Sequence, residues 1–458
     1  MKIIKSHILM GLIFATIVYL LGNAFELTHE ITLTLTITSL TGYWWVTEAL
    51  PIPLTSLLPI ASFPLVGILT HKQAASSIGS HVILLLMGAF MLAVAIEQSQ
   101  VHKRIAFMII NKIGGGSASK ILFAIMTTSA VLSMWISNTA TVVALLPVVI
   151  ALCANTDNTK FKIALLLGLA YSASIGGIGT IIGTPPNLIF ASVYEQFAQK
   201  EYGFISWMKI AVPIVVISIP LAALWLGRNI KLNAVIELPE MGKWQVAEKR
   251  VLIIFGLVAL AWIFRKEPFG GWSGIIGNTT IGDSSIALLG VIAMALTPNG
   301  KGKKLLEWEK AKDIPWGMLL LFAGGICIAK AFVSSGLSEM LGQFLVSLGT
   351  LPLLLMLFAL CISVSFLTEI TSNTATATLL MPVIASAAIA LGLPIELLMI
   401  PVVISCSCAF CLPVATAPNS IVFATGEIKV IDMVKQGAIL NVLLAIIISL
   451  VCFYLLGK

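Results

Sequence analysis

Long apolar runs separated by short polar connections dominate the chain. Eleven of these runs are comparable in length to the roughly 20 residues of one membrane crossing, or contain a crossing with a bend. We place these spans at residues 8–24, 31–48, 52–69, 81–99, 162–195, 207–227, 250–264, 284–298, 315–333, 396–426 and 436–456. Two further runs, 119–153 and 351–393, are too long for one crossing and carry polar residues at their centres. We interpret both as re-entrant hairpins, which enter and leave the membrane on the same side.

The composition favours an all-α polytopic membrane protein. Hydrophobic residues make up 59% of the 458 residues and charged residues 10%, against about a quarter charged in an ordinary soluble domain. A water-soluble fold could not bury this much apolar surface. The net charge of +7 arises from basic residues in the short loops. The lipid bilayer, and not nucleic acid, is therefore the expected partner of these residues.

The basic residues also indicate the orientation of the chain. With the N-terminus inside, most of the 27 Lys and Arg residues fall in inside loops, in accordance with the positive-inside rule. Lys2 and Lys5 precede the first run, and such a run could be a cleaved signal sequence. Its length and the lack of a convincing cleavage site favour a retained span. We expect a multi-pass protein of the cytoplasmic (inner) membrane with its N-terminus inside.

An internal repeat relates the two halves of the chain. The sequence SNTAT at 137–141 recurs at 372–376, and GTPPN at 183–187 has a looser partner in ATAPN at 415–419. An odd number of predicted crossings separates the copies, so the second copy is inverted relative to the first. Inverted repeats with broken helices are typical of secondary transporters, whose substrate site lies near the midplane where the copies meet.

The repeated motifs place polar residues where lipid would surround them. Backbone at that depth must be satisfied internally or line a wet cavity, and Ser, Asn and Thr favour helix ends. We therefore expect each SNT triplet to form a hairpin turn. The prolines of the other two motifs break the helices that contain them. Four such interruptions should converge on the pseudo-twofold axis.

The chemistry of these interruptions suits a cation together with an anion. Carbonyl oxygens and Ser, Thr and Asn oxygens suit sodium, whereas helix N-termini, hydroxyls and the Asn amide suit an anion. No Lys or Arg lies beside any of the four interruptions. An anion there would lack compensation in a low-dielectric site unless a cation were bound nearby. We infer cation–anion symport from this pattern.

Glu369 is a second kind of candidate, because it lies beside the second SNT triplet. An acidic residue inside the membrane is a functional candidate by default. It could equally be an acceptor for backbone amides at the hairpin turn. Both interpretations stay open at the level of the sequence.

These motifs closely resemble those of the divalent anion:sodium symporter family, which includes bacterial sodium–dicarboxylate symporters of the INDY type. The resemblance rests on both SNT motifs and on the GTPPN and ATAPN breaks, together with LSMWI at 132–136 and NSIVFA at 419–424. It implies a homodimer in which a transport domain carries the site across the membrane, past a scaffold domain, by an elevator movement. It also implies C4 dicarboxylates such as succinate, malate and fumarate as substrates, or sometimes citrate or sulfate.

The resemblance also implies the site residues. Sodium would be the coupling ion, with no organic cofactor. The first sodium site would use Ser133, Ser137, Asn138 and Gly183. The second sodium site would use Thr368, Thr371, Asn373 and Ala415. The substrate carboxylates would contact Asn138, Thr139 and Thr184 on one side and Ser372, Asn373, Thr374 and Thr416 on the other.

The expected domain organisation follows the repeat. Residues 1–113 and 229–348 would form the scaffold, the latter including a cytoplasmic linker, and residues 114–228 and 349–458 would form the two transport parts. Two positions depart from the family pattern. Ala417 replaces a second proline, which should leave the second break less constrained. Thr371 stands where a small residue is expected, so it would contribute through its carbonyl alone.

Two other functions remain to be weighed. The same fold could serve an exchanger or a proton-coupled carrier, in which case Glu369 would carry the proton. A membrane enzyme is disfavoured, because the sequence shows no catalytic triad, phosphate loop or metal-ligand cluster.

Overall fold

The computed structural model describes residues 2–114, 117–154, 156–230, 242–278, 280–345 and 351–457. Within these ranges the regular secondary structure is helical, apart from one isolated antiparallel bridge between Pro298 and Lys304. The expected linker at 231–241 and the expected domain boundary at 348–349 lie outside the described residues.

The described residues of the first half form twelve helices, of which the last five carry the first hairpin, the first broken span and the span that follows it. The first seven are α1 Lys2–Ala24, α2 His29–Thr47, α3 Ile52–Thr55, α4 Leu57–Leu65, α5 His71–Ile78, α6 His81–Ser99 and α7 Val101–Ile113. The next five are α8 Ala118–Ser133, α9 Asn138–Ala154, α10 Thr159–Gly177, α11 Pro185–Ala198 and α12 Phe204–Gly227.

The second half repeats this order with a second hairpin and a second broken span. Its first six helices are α13 Val246–Ile263, α14 Gly271–Ile275, α15 Asp283–Leu296, α16 Trp308–Ala311, α17 Trp316–Ser334 and α18 Leu337–Leu345. The others are α19 Leu353–Leu367, α20 Asn373–Ala390, α21 Ile395–Ser405, α22 Ala417–Phe423 and α23 Val430–Leu456, with a 3-10 turn at Pro413–Ala415.

Several helices are long and apolar enough to cross a membrane. Among the residues that the structure describes, six segments meet this description by length and composition. They are Ser6–Ala24, His71–Ser99, Phe204–Gly227, Trp316–Ser334, Asn373–Ala390 and Val430–Leu456. Both arms of the first hairpin, the first arm of the second hairpin and α21 are shorter apolar helices. Each SNT triplet lies where one helix ends and the next begins, as the sequence predicts.

Several local features differ from the sequence prediction, including the short helices α5, α14 and α16, which lie outside the predicted spans. The span expected at 52–69 is shorter and is interrupted at Ser56, since Pro59 lacks the N–H that would continue the helix across this point. Two short helices, α7 and α18, were not predicted. They precede the two hairpins at equivalent positions of the repeat, so they belong to the duplicated unit.

The broken spans lie in the centre of the molecule. Every residue of α10 from Ala164 to Gly177 is buried, as is every residue of α21 from Leu397 to Ser405. Helix α8 packs against α10 and α12, while α19 packs against α21 and α23. Each hairpin arm is therefore held against the broken span of its own half, which brings the polar interruptions together.

Candidate functional site

All four helix interruptions line one cavity of about 780 Å³. The two SNT turns contribute residues 137–139 and 372–374, and the two breaks contribute residues 183–184 and 415–416. The seven residues expected to contact substrate all lie on its wall. The tips of the two repeats thus meet in the interior of the protein, as the inverted repeat predicts.

Ser133 and Thr368 lie behind this wall and not on it. Both side chains are fully buried. The Ser133 hydroxyl donates to Asn138 Oδ1 at 2.5 Å, and the Thr368 hydroxyl donates to Asn373 Oδ1 at 2.6 Å. Equivalent residues of the two repeats therefore make the same contact, and each fixes the carbonyl side of an asparagine that faces the cavity.

The first break forms a small pocket of oxygen atoms. A Cβ added to Gly177 would lie 2.6 Å from Asn138 Oδ1 and 3.2 Å from the Gly183 carbonyl oxygen. A Cβ added to Gly183 would lie 2.5 Å from the Gly177 carbonyl oxygen and 3.1 Å from that of Met134. Both glycines therefore let carbonyl and amide oxygens approach one another closely, and such an oxygen set fits a small cation.

The second break has a related but different lining. The Thr368 hydroxyl also donates to the Cys406 carbonyl at 3.1 Å. The Thr371 hydroxyl lies 2.9 Å from the Leu367 carbonyl and 2.6 Å from the Thr376 hydroxyl. Its hydrogen bonds stay within its own hairpin, which agrees with a contribution to the cavity through its carbonyl alone.

Helix N-termini supply the positive side of the cavity. Helices α9, α11, α20 and α22 all begin within one residue of a lining position. Thr184 and Thr416 are the N-caps of α11 and α22, and the Thr416 hydroxyl accepts from Asn419 N at 3.2 Å. Unpaired amides and aligned dipoles at such termini favour an anion.

The charged side chains of the cavity are all acidic. Among the described residues, the lining includes neither Lys nor Arg, and its carboxylates are Glu48, Glu97, Asp313 and Glu369. An anion in this cavity is therefore stabilised by helix N-termini and hydroxyls, and it gains further from any cation held nearby.

Two asparagines that the sequence interpretation had not placed in the site hold the breaks in shape. The Asn187 amide donates to the carbonyls of Gly177 at 3.1 Å and Thr180 at 2.8 Å. The Asn419 amide donates to the carbonyls of Ala409 and Leu412, both at 3.0 Å. The acceptors are equivalent in the two repeats. These residues are the asparagines of the GTPPN and ATAPN motifs, so the motif itself was the available signal.

The carbonyl oxygens of these two asparagines are also equivalent. Asn187 Oδ1 and Asn419 Oδ1 are buried, and no described residue donates a hydrogen bond to either. A buried acceptor without a donor is uncommon. Each break therefore holds an oxygen that a cation or a water could use, which fits the alkali ion that the motifs predict.

Glu369 is buried, with 4% of its surface exposed, and accepts four hydrogen bonds. Its Oε1 accepts from Phe410 N at 2.6 Å, Cys411 N at 2.8 Å and Asn441 Nδ2 at 2.8 Å, and its Oε2 accepts from Leu412 N at 3.1 Å. Of the two interpretations left open, the backbone-acceptor one is correct, but the amides belong to the second break and not to the hairpin turn. The second break is therefore not poorly constrained, although Ala417 replaces a proline.

Comparison with known proteins places these features in a family. Residues 43–398 match the family model described as "Citrate transporter". The sodium-dependent dicarboxylate transporter SdcS of Staphylococcus aureus strain bovine RF122 / ET3-1 is 39% identical over 98% of this chain and 91% of its own length. The same transporter of strain MRSA252 is 38% identical over the same shares.

Two solved structures share the fold at low sequence identity. The Alcanivorax borkumensis YdaH transporter is 15% identical with a TM-score of 0.61, over 84% of this chain and 87% of its own. Neisseria gonorrhoeae MtrF, from a class of antimetabolite efflux pumps, is 14% identical with a TM-score of 0.61, over 97% and 98%. These structures show the shared fold. The sequence matches confirm the expected resemblance, and they show that the chain belongs to the citrate transporter family and is a multi-pass membrane transporter, not an enzyme.

Proposed function

We propose that this chain is a secondary active transporter that couples sodium to the uptake of C4 dicarboxylates such as succinate, malate and fumarate. The observation that carries the proposal is the meeting of residues 137–139 and 372–374 at one cavity whose lining lacks Lys and Arg. The similarity to sodium-dependent dicarboxylate transporters of Staphylococcus aureus supports both the ion and the substrate class.

The coupling follows from the electrostatics of the cavity. A dianion in a low-dielectric site needs compensating charge, and the acidic lining supplies none. Sodium ions held behind Asn138 and Asn373 would provide it, while the amide side of each asparagine faces the substrate. In this arrangement each asparagine serves an ion and the dianion together, so neither ligand is bound well without the other.

The proposed sodium ligands and the proposed substrate ligands are different sets of residues that share only Asn138 and Asn373. Ser133, Ser137, Asn138 and Gly183 would hold the first sodium, and Thr368, Thr371, Asn373 and Ala415 the second. The substrate carboxylates would contact Asn138, Thr139 and Thr184 from one repeat and Ser372, Asn373, Thr374 and Thr416 from the other. The short contacts from Ser133 and Thr368 to the asparagine oxygens support this division.

In the proposed topology the chain crosses the cytoplasmic membrane eleven times and forms two re-entrant hairpins, arranged as inverted repeats. Its N-terminus lies on the cytoplasmic side. Glu48 follows the end of α2, Glu97 lies near the end of α6, and Asp313 precedes α17. All three line the cavity, and all three lie on the inside in this topology. The position of these three acids supports the proposal that the cavity opens to the cytoplasm in this state.

Movement between states would occur by an elevator mechanism in a homodimer. The hairpins and broken spans of residues 114–228 and 349–458 would move as the transport domain, and residues 1–113 and 229–348 would stay as the scaffold. The burial of α10 and α21 against both hairpins supports a transport domain that moves as one unit.

Uptake into proteoliposomes tests the function directly. We expect labelled succinate to accumulate when an inward sodium gradient is imposed, and not when choline replaces sodium. Citrate and sulfate should be tested as competitors, because both are alternatives for the main substrate. Uptake that persists unchanged in choline would refute sodium coupling, and uptake that requires preloaded dicarboxylate would indicate an exchanger.

A further inference from the structure

The second break is held by a carboxylate, and the first is not. We propose that Glu369 is a positioning residue for the second sodium site, which keeps the segment 410–412 in the shape that this site requires. The inference rests on the proposed function and adds a role for an acid that the proposed ligand sets leave unused.

The segment 410–412 needs an acceptor from elsewhere in the chain. It lies between the end of α21 at Ser405 and the 3-10 turn that begins at Pro413, so its amides have no partners within a helix. Buried amides without acceptors are costly. Glu369 accepts from all three of them, and one side chain therefore satisfies the whole segment.

Neighbouring side chains of the same hairpin arm bind the carbonyls of this break. The Ser365 hydroxyl donates to the Cys408 carbonyl at 2.7 Å, and the Thr368 hydroxyl donates to the Cys406 carbonyl. The arm from 365 to 369 thus contacts the break through both its carbonyls and its amides. Thr368 also contacts Asn373, so a shift of the break would be transmitted directly to the proposed sodium ligands.

Other elements hold the same segment from the opposite side. The Tyr171 hydroxyl donates to the Phe410 carbonyl at 2.7 Å, and both side chains are fully buried. Helix α23 approaches so closely at Gly437 that an added Cβ would lie 2.3 Å from the Phe410 oxygen. The backbone N–H and the backbone C=O of Phe410 are therefore both held by hydrogen bonds. This leaves the segment little room to adjust if the acid is removed.

The contacts of Glu369 all come from hydrogen-bond donors. All four partners are N–H donors, three from the backbone and one from the Asn441 side-chain amide. A carboxylate only accepts, whereas a carboxylic acid brings an O–H donor into a group of donors. In this geometry Glu369 therefore serves as an acceptor for every group it contacts, which is the role of a positioning residue for the segment 410–412.

The first repeat shows why the acid is needed only once. Met134 occupies the position equivalent to Glu369. The amides of Ile178 and Gly179, which are equivalent to those of Phe410 and Cys411, bond to carbonyls of their own helix end at 3.3 and 2.8 Å. The first break therefore satisfies these amides locally, and the second break depends on the hairpin arm.

The test compares Glu369→Gln with Glu369→Asp and with Glu427→Gln, an exposed acid that serves as the charge control. In Glu369→Gln the new side-chain NH2 group would face backbone N–H groups, so that two hydrogen-bond donors would oppose each other. We expect the sodium concentration for half-maximal succinate uptake to rise by about tenfold or more, since a charged hydrogen-bond acceptor is lost. Glu369→Asp should recover part of the loss, and Glu427→Gln should behave like the wild type.

A double-mutant cycle separates positioning from a general loss of structure. We expect the effect of Glu369→Gln on the sodium requirement to shrink in a Thr368→Ala background, because both changes act on one site. It should persist fully in a Ser133→Ala background. Equal effects in both backgrounds, or a Glu369→Gln protein with a wild-type sodium requirement, would overturn the inference.

Two further measurements cover the other outcomes. If Glu369→Gln does not fold, Asn441→Ala removes only one of the four donors, and we expect it to raise the sodium requirement severalfold; an unchanged requirement would overturn the inference. Loss of pH dependence with sodium affinity intact in Glu369→Gln would overturn it in favour of proton transfer. If neither the melting temperature of the wild-type protein nor its succinate uptake changed with sodium concentration, the proposed function would be overturned as well.

Discussion

The two broken spans are related by the repeat, yet their interruptions are held in shape by different contacts. In both, an asparagine amide binds two carbonyls of the break, and a hydroxyl binds the asparagine of the SNT turn. The first break relies on two glycines and its own backbone hydrogen bonds. The second relies on Glu369. Duplication has thus kept the hydrogen bonds of the four asparagines in both repeats, while the contacts that satisfy the remaining backbone groups of each break differ.

The largest effects are expected from the asparagines of the SNT turns. Asn138→Ala and Asn373→Ala should each reduce sodium-dependent uptake to background, because each side chain serves an ion and the substrate. Sodium and succinate binding should be lost together, as measured by thermal shift with each ligand. If either variant kept wild-type uptake, the two repeats would not contribute equally to the binding of sodium and substrate.

Gly177 provides a sharper test of the difference between the breaks. Gly177→Ala places a Cβ 2.6 Å from Asn138 Oδ1, and we expect a loss of stability of about 1–3 kcal/mol with weaker sodium binding. The equivalent residue in the second repeat is Ala409, so Ala409→Gly is the matched control and should bind sodium nearly as well as the wild type. Thermal unfolding with and without sodium measures both. Similar damage from both changes would contradict a glycine-dependent first break.

Asn187 and Asn419 should behave alike if the shared contacts are equivalent. Asn187→Ala and Asn419→Ala each remove two hydrogen bonds to buried carbonyls, and we expect each to cost about 1–3 kcal/mol of stability. Unfolding midpoints in detergent provide the measurement, with the exposed Asn111→Ala as the control. A large effect in one break and none in the other would show that these equivalent contacts do not contribute equally to stability.

The smallest effect is expected at Thr371. Its counterpart in the first repeat is Ile136, and its hydroxyl forms hydrogen bonds only within its own hairpin. Thr371→Ile should therefore change the sodium requirement for uptake by about threefold or less, in line with the loss of one modest hydrogen bond. A loss as severe as that of Asn373→Ala would show that this hydroxyl is itself an ion ligand.

The sequence predicted the features that depend on long patterns. Apolar runs located the spans, and the repeated SNT and Pro-Asn motifs located the interruptions that meet at the cavity. It did not predict α7 and α18, because short helices with polar faces resemble loops when their tertiary partners are unknown. The partners of Glu369 lie 41, 42, 43 and 72 residues away along the chain, and no local pattern could have specified them. The amide contacts of Asn187 and Asn419 likewise depend on how the break folds back, although the motif was visible.

The central claim is that sodium ions make the cavity able to hold a doubly negative substrate. Titration calorimetry of the purified protein with succinate, first in sodium and then in choline at equal ionic strength, tests this most directly. The account predicts measurable binding in sodium and none in choline. Succinate binding of equal affinity in both solutions would contradict it.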